Sequence, residues 1–364
     1  MRNFDYMYLA NKTWDNEILQ YVSKIHEYKG KQEFFLRQKP VELTRLIEIA
    51  KIQSTESSNR IEGIVTTEPR LKKLMSNKTT PQNRDEEEIL GYRNVLNLIH
   101  ENYEYIPITA NYILQLHKEL LKFTNLSYGG NFKNTPNEID MISSNGKKIL
   151  LFKPLEPFET PEAVKNICEN YQKVLDKELV DALILIPIFI LDFLCIHPFN
   201  DGNGRMSRLL TLLMLYRNGY LVGQYISIEK MIAESKTDYY QALSFSDKNW
   251  HKGKNDPKPF IKYMLGIILT CYKEFENRIN ICDESGPKSS AYDIVKRYIM
   301  NKIGVFTKQE ALVSCPSIGS SSVEAALKKL VENGEIIKLG NGRKTHYVRK
   351  DYDGDGSGLR NRNQ

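Results

Sequence analysis

His197, Asp201, the Gly202–Gly204 stretch, Arg205 and Arg208 all fall within one run of the chain, His-Pro-Phe-Asn-Asp-Gly-Asn-Gly-Arg-Met-Ser-Arg. Each residue type brings a separate piece of phosphate chemistry. His197 carries an imidazole, the side chain whose unperturbed pKa lies near neutrality, and so can take a proton. Asp201 offers a hard oxygen ligand of the kind Mg2+ prefers. Gly202-Asn203-Gly204 can turn successive backbone N–H groups inward, and a helix starting at about Arg205 adds its N-terminus to that cradle, a setting for phosphate. Arg205 and Arg208, three apart on such a helix, occupy neighbouring positions and present planar forks to further phosphate oxygens. Singly, His-Pro is an ordinary structural dipeptide and Asp-Gly-Asn-Gly an ordinary turn. In this order they suit a nucleoside triphosphate with Mg2+ and a base beside it.

The elements that must position these residues are mostly helical. Ala182–Ile196 is almost wholly apolar but shorter than the ~18–20 residues a membrane span needs, and it contains Pro187 and Asp192. Apolar all round, it reads as a buried central helix that delivers the chain to His197. Upstream, residues 1–80 read as helices, including Val41–Gln53 and a segment around Ser57–Val65. Glu86–Asn102 is amphipathic, with Leu90, Val95, Leu98 and Ile99 on one side. Thr109 caps the next helix, whose Ile113, Leu116, Leu120 and Leu121 form a core stripe, and His117 within it is assigned a structural role. Between these helices and the central one, Glu138–Phe152 flanks Asn145-Gly146 with short apolar strands, a hairpin signal. Downstream, Thr211–Arg217 continues to a stop at Asn218-Gly219, and helical segments begin at Tyr225 and Lys236. A polar loop over Asp247–Pro259, with His251 exposed, precedes a helix at Phe260–Asn280.

The run from His197 to Arg208 resembles the Fic family pattern His-x-Phe-x-[Asp/Glu]-Gly-Asn-Gly-Arg-x-x-Arg at every fixed position. The resemblance implies a mainly α fold: a Fic-type helical domain over 81–281, a β-hairpin flap at about 130–153, and an N-terminal helical region over 1–80. It implies transfer of AMP from ATP to a Ser, Thr or Tyr hydroxyl of a target protein, with release of pyrophosphate. On that pattern His197 is the base, Phe199 anchors the loop in the core, and Asp201 holds Mg2+. The α- and β-phosphates meet Gly202, Asn203, Gly204 and Arg205, with Met206 and Ser207 in the same helix start, and Arg208 takes the γ-phosphate. Tyr239 and Tyr240 resemble the place where family members hold adenine, and aromatic faces suit stacking. Ile139, Asp140, Met141 and Ile142 form the flap edge that pairs with the target's backbone. Ser58-Asn-Arg-Ile-Glu62-Gly63 resembles the family's inhibitory motif, [Ser/Thr]-x-x-x-Glu-[Gly/Asn]. Its spacing places Ser58 and Glu62 on one helix face that Gly63 can end, so that Glu62 pairs with Arg208 and occupies the fork the γ-phosphate needs. Two other readings stay open: a hydrolase that removes AMP through the same site, and a DNA-binding regulator whose Fic domain senses a nucleotide.

The chain of 364 residues is long enough for two or three domains. Its five cysteines are scattered, with no Cys-x-x-Cys pair, which excludes a disulfide framework or a zinc site of that type. The first residues lack an apolar signal core, so a cytoplasmic protein that does not enter membranes is expected. Residues 286–350 carry a charge balance of +7, while residues 1–285 are neutral. After a linker at 282–290, helices at Ala291–Asn301, Lys308–Val313 and Ser320–Asn333 precede a strand–turn–strand over Glu335–Leu339 and Lys344–Arg349. This order over 291–350 resembles a small C-terminal winged helix-turn-helix domain. Ser320, Ser321, Ser322, Lys328, Lys329, Arg343 and Lys344 are its candidates for meeting a DNA duplex, while protein contact or a homodimer is served equally well. The tail, 351–364, begins like a calcium loop, but Arg362 stands where a bidentate Glu is needed, so it reads as a flexible end.

Overall fold

The computed structural model describes residues 2, 4–38, 40–142, 148–283, 290–302, 304–316, 318–342 and 345–350. Helix follows helix along the chain: α1 (Asn16–Gln38), α2 (Pro40–Ile61), α3 (Glu68–Met75), α4 (Arg84–Asn102) and α5 (Ala110–Leu120). A hairpin of β1 (Ile139–Ile142) and β2 (Lys148–Phe152) interrupts them. Then come α6 (Thr160–Asp176), α7 (Ala182–Ile196), α8 (Asn203–Arg217), α9 (Ile228–Glu234), α10 (Lys236–Ser246) and α11 (Lys258–Asp283). The chain closes with α12 (Ala291–Asn301), α13 (Lys308–Ser314), α14 (Ser320–Glu332), β3 (Ile336–Leu339) and β4 (His346–Arg349). The fold is mainly α, as the periodicity implies. Contacts divide it into two units, Met1–Gln32 with Ala50–Tyr272 and Glu33–Ile49 with Lys273–Gln364.

In the first unit, α7 is the central helix and packs against α6 and α8. Its bounds are those expected, and Asp181 caps it by accepting from the Leu183 N–H. Asp192, only 1% exposed in this apolar helix, has three partners. It accepts from Tyr6 Oη at 2.8 Å and Trp250 Nε1 at 2.6 Å, and pairs with Arg2 at 3.1 Å. A buried carboxylate survives only with such compensation. Trp250 is wholly buried, so the stretch expected as a polar loop is pinned to the core, and a 3-10 turn at Trp250–Lys252 runs through it. His251 is exposed as expected but engaged: Nε2 lies 2.8 Å from the Lys153 carbonyl oxygen, and the ring stacks on Phe152. No helix among the described residues is long and apolar enough to cross a membrane.

Three local expectations need correction. The two segments 41–53 and 57–65 are one continuous helix, α2, because nothing between them breaks it; the chain leaves helix at Glu62 and Gly63, where φ is +82°. The buried face of α4 runs through Ile89, Tyr92, Val95, Leu96 and Ile99, with Leu90 and Leu98 only half-buried at its edge. Helix α8 begins at Asn203, two residues before the expected start, since Gly202 serves as its N-cap.

The second unit gathers a core from Ile294, Val295, Ile299, Phe306, Val323, Leu327, Leu330 and Ile336. Its α12 and α13 open with capping boxes, Ser290 with Asp293 and Thr307 with Glu310. Strands β3 and β4 pair antiparallel from Ile336↔Arg349 to Leu339↔His346, and an isolated bridge joins Phe306 to Tyr347. Arg343, Lys344, linker residues 284–289 and the tail 351–364 lie outside the described residues.

Candidate active site

Helix α7 ends where the chemistry begins. His197 adopts a left-handed backbone, φ 52° and ψ 63°, and its N–H closes the helix onto the Phe193 carbonyl oxygen at 2.9 Å. The imidazole Nδ1 lies 3.3 Å from the Leu194 carbonyl oxygen, a pure acceptor, so Nδ1 carries the proton and Nε2 keeps a free lone pair. Burial pushes the His197 pKa down to about 4, against the Leu194 hydrogen bond and the nearby carboxylates of Glu62 and Asp201. Neutral at physiological pH, this imidazole is ready to accept a proton.

The loop after His197 is braced from both sides. Phe199 is fully buried and stacks on His117, ring centroids 3.7 Å apart. The Gly130 N–H donates to His117 Nδ1 at 3.1 Å, which leaves His117 Nε2–H to donate to the Asp201 carbonyl oxygen at 3.0 Å. His117 is therefore structural, as expected, and structural for this loop in particular. A second brace went unforeseen. Lys133 and Asn137 together hold four consecutive carbonyl oxygens: Ile196 by Lys133 Nζ at 3.1 Å, His197 by Asn137 Nδ2 at 3.3 Å, Pro198 by the Lys133 N–H at 2.8 Å, and Phe199 by Asn137 Nδ2 at 3.0 Å. Burial pushes the Lys133 pKa down to about 8. The segment leading into β1 thus sets the backbone that carries His197.

Gly202, at φ +83°, lets the chain turn into α8, and the Met206 N–H returns to its carbonyl oxygen at 2.8 Å. The Asn203 side chain faces back to the loop, accepting from the Phe199 N–H at 2.9 Å and donating to the Phe199 carbonyl oxygen at 2.8 Å. Its offering to a phosphate is therefore its backbone N–H. The same restriction holds for Met206 and Ser207, both buried away from the pocket, with Ser207 Oγ donating to the Gly204 carbonyl oxygen at 2.7 Å. Arg205, 1% exposed, is held by Glu88 of α4 at 2.7 Å. Asp201 accepts from the Gly202 N–H at 2.6 Å and lies 3.3 Å from Arg84 and 3.5 Å from Arg205.

Arg208 completes the rim. Its Nε donates to Ser58 Oγ at 2.8 Å, and its Nη2 donates to the Ser58 carbonyl oxygen at 2.9 Å and to Glu62 Oε1 at 2.8 Å. Ser58 and Glu62 do share one face, and Gly63 follows them out of helix. A Cβ added to Gly204 would run into Glu62 Oε1, so the carboxylate sits directly over the N-terminus of α8. Glu62, His197, Asp201–Arg205, Arg208, Tyr239 and Tyr240 line one pocket, together with Ile139, Leu151 and Phe152 of the hairpin. Tyr239 is buried against Phe260 and Tyr263, whereas Tyr240 is 43% exposed. Strands β1 and β2 pair antiparallel from Ile139↔Phe152 to Ile142↔Lys148, with an irregularity after Ile139. The Asn145-Gly146 turn lies outside the described residues, as do the side chains of Asp140, Met141 and Ile142.

Three histidines share one electrostatic fate. Burial lowers His100 to about 3, His117 to about 4 and His197 to about 4, from an ordinary 6.5. The native state keeps them neutral while the unfolded chain binds protons below 6.5, so stability is full above that pH and is lost as pH falls toward 4. His100 lies away from the pocket, against Tyr216 Oη at 3.3 Å. His100→Gln is expected to shrink the drop in Tm between pH 7 and pH 5; an unchanged drop in thermal melts overturns the assignment.

A buried helix ending on a neutral imidazole, a glycine-opened helix start beside it and an arginine at the rim define a Fic-type site. Residues 107–215 match the Fic/DOC family. It is 26% identical over 229 residues to the protein adenylyltransferase Fic of Drosophila grimshawi, covering 61% of this chain and 42% of that protein. It is 25% identical over 186 residues to the protein adenylyltransferase fic-1 of Caenorhabditis elegans, covering 50% of this chain and 32% of that protein. The chain thus spans less than half the length of these two relatives. A Fic family protein from Desulfovibrio desulfuricans G20 shares the fold at TM-score 0.61 and 18% identity, over 96% of this chain and 99% of that one.

Proposed function

We propose that this protein transfers AMP from ATP to a hydroxyl of a target protein, releasing pyrophosphate, and that Glu62 restrains it. The observation that carries the reading is the placement of the His197 lone pair in one pocket with the start of α8 and Arg208. His197 Nε2 takes the proton of the acceptor Ser, Thr or Tyr hydroxyl, which is a poor nucleophile until it is removed. The oxygen attacks the α-phosphorus, the bond to the bridging oxygen breaks, and pyrophosphate leaves. N–H groups at the Gly202–Gly204 opening and the guanidinium of Arg205 meet the charge that builds on the α- and β-phosphates. Arg208, released from Glu62, takes the γ-phosphate and orients the chain of phosphates for in-line attack. The two-stranded β1–β2 hairpin, with no third strand paired to it among the described residues, suits main-chain pairing with a target segment.

Asp201 fits Mg2+ in a limited sense. It is one hard carboxylate beside the phosphate cradle, and no group of three His, Cys, Asp or Glu side chains among the described residues could hold an ion alone. A Mg2+ carried in with the phosphates and keeping its waters suits one carboxylate, and it would neutralise phosphate charge there. Glu62 lies in the pocket with His197, which also favours the second reading, removal of AMP with that carboxylate directing water. Incubation with labelled ATP and candidate proteins separates the two: label entering protein supports transfer, and label leaving an AMP-bearing protein supports removal.

The three helices α12–α14 and the β3–β4 hairpin, with the positive balance of residues 286–350, favour a winged helix-turn-helix that meets DNA. Ser320 and Ser321 at the exposed start of α14, with exposed Lys328 and Lys329, belong to that surface, and Ser322 beside them is half-buried. Arg343→Ala with Lys344→Ala is expected to weaken DNA binding and to flatten its log–log salt slope by about two. No mobility shift with any duplex at low salt removes DNA and leaves protein contact.

A further inference from the structure

A closed ring of charge flanks the start of α8. Asp201 Oδ1 accepts from the Gly202 N–H at 2.6 Å and faces Arg205 Nη2 at 3.5 Å, which leaves Oδ2 as the oxygen it can offer outward. Arg84 Nη2 lies 3.3 Å from that Oδ2. From its other side, Arg84 Nε donates to Glu88 Oε1 at 2.7 Å, and Glu88 Oε2 pairs with Arg205 Nη1 at 2.7 Å. Two guanidiniums and two carboxylates thus alternate around a circuit that begins and ends at Asp201 and carries no net charge. Arg84 and Glu88 stand four apart in the first turns of α4, so one helix face presents both of them.

The four members are not equivalent. The Glu88 and Arg205 side chains are 4% and 1% exposed, so neither can leave without stranding a buried charge. The Arg84 side chain is 60% exposed, and letting go of Asp201 returns part of its fork to water with little loss. We propose that Arg84 is the resident counter-cation of Asp201, holding Oδ2 until a divalent cation that arrives with the nucleotide's phosphates replaces it. The inference rests on the reading of Asp201 as the Mg2+ carboxylate and adds to it the residue with which the metal competes. A metal alone gains too little from one carboxylate to displace Arg84, so metal and nucleotide enter together. A nucleotide without metal, in turn, meets a compensated carboxylate beside its phosphates. Removing Arg84 moves both balances the same way: the metal no longer competes for Oδ2, and the metal-free nucleotide faces a bare negative charge. The coupling between metal and nucleotide therefore rises.

The test is equilibrium binding by calorimetry, using the full chain with Glu62→Gly so that Arg208 is free. The probe is α,β-methylene ATP, whose α–β bridge cannot be cleaved, titrated once with Mg2+ and once with EDTA. The ratio of the two affinities measures the coupling. Arg84→Ala is expected to raise that ratio about fivefold, the upper end of what a partly exposed ion pair delivers. Arg84→Gln, which keeps most of the side chain but not its charge, raises it likewise, and Arg84→Lys, which keeps the charge, holds it near the parent value. Binding of the probe with Mg2+ shows that each variant is folded. Asp201→Ala lowers the ratio, and adding Arg84→Ala to it changes the ratio no further. A ratio in Arg84→Ala and Arg84→Gln at or below the parent value, while Asp201→Ala still lowers it, overturns the role of Arg84 alone. An undiminished ratio in Asp201→Ala overturns Asp201 as the metal's carboxylate and the inference with it. No binding of the probe to the parent chain with Mg2+ overturns the nucleotide reading and everything that rests on it.

Discussion

Glu62→Gly is expected to raise AMP incorporation by roughly one to two orders of magnitude, both into a target and into the protein itself. Two features of the Glu62 carboxylate set the size. It holds Arg208 Nη2 at 2.8 Å, and it lies over Gly204 so closely that a Cβ there would strike it. On the proposed reading it thus occupies both the guanidinium and the helix start that the terminal phosphates would need. Displacing a charge-assisted hydrogen bond costs about 1.5–3 kcal/mol, and each 1.4 kcal/mol is about tenfold in rate. Removing the carboxylate should leave the arginine in place, because Ser58 holds it independently through Oγ and the carbonyl oxygen. The backbone tolerates the change as well, since α2 has ended at Ile61 and Gly63 already occupies the left-handed region. Incorporation at or below the wild-type level, in matched assays with ATP binding intact, would mean that Glu62 is not the brake.

What the sequence made legible here, and what it hid, divides along physical lines. α7 could be bounded to the residue because a nearly all-apolar run too short to span a bilayer is satisfied as a helix buried on every side, and Asp181 marks its start. The Ser58–Glu62–Arg208 contact was legible only through the resemblance to the family's inhibitory motif: helical spacing sets Ser58 and Glu62 on one face, but nothing in spacing points across 146 residues to Arg208. Lys133 and Asn137 were not. Their partners are main-chain carbonyl oxygens about sixty residues away, and a backbone acceptor leaves no trace in residue type. The fixing of Asp192 was hidden for a similar reason: Tyr6, Arg2 and Trp250 converge from both sides of the chain. Asn203, Met206 and Ser207 sit within the phosphate-binding run by sequence, yet only the fold shows that their side chains face the loop or the core. The one available signal was the 3.6-residue period, which puts Met206 and Ser207 off the face that Arg205 and Arg208 share.

His197→Ala is expected to lower transfer by about 10²–10⁴-fold, the usual worth of a positioned general base, while changing ATP affinity little. The asymmetry follows from what the imidazole touches. Its Nδ1 faces the Leu194 carbonyl oxygen at 3.3 Å, which leaves only Nε2 for chemistry, and on the proposed reading that nitrogen would serve the incoming hydroxyl rather than the phosphates. The phosphate cradle is built independently, from the start of α8 and from Arg205 and Arg208. The loop itself should survive, because Lys133 and Asn137 hold it by its carbonyl oxygens and Phe199 holds it through His117. The pH profile gives a second check. A base lowered to about 4 is already neutral at pH 6, so the rate should be nearly flat from pH 8 to 6 and fall only as pH drops toward 4. A proton acceptor of ordinary pKa would instead lose activity through 6.5. Wild-type rates in His197→Ala sink the mechanism, and loss of ATP binding in step with loss of transfer reassigns His197 from base to nucleotide ligand.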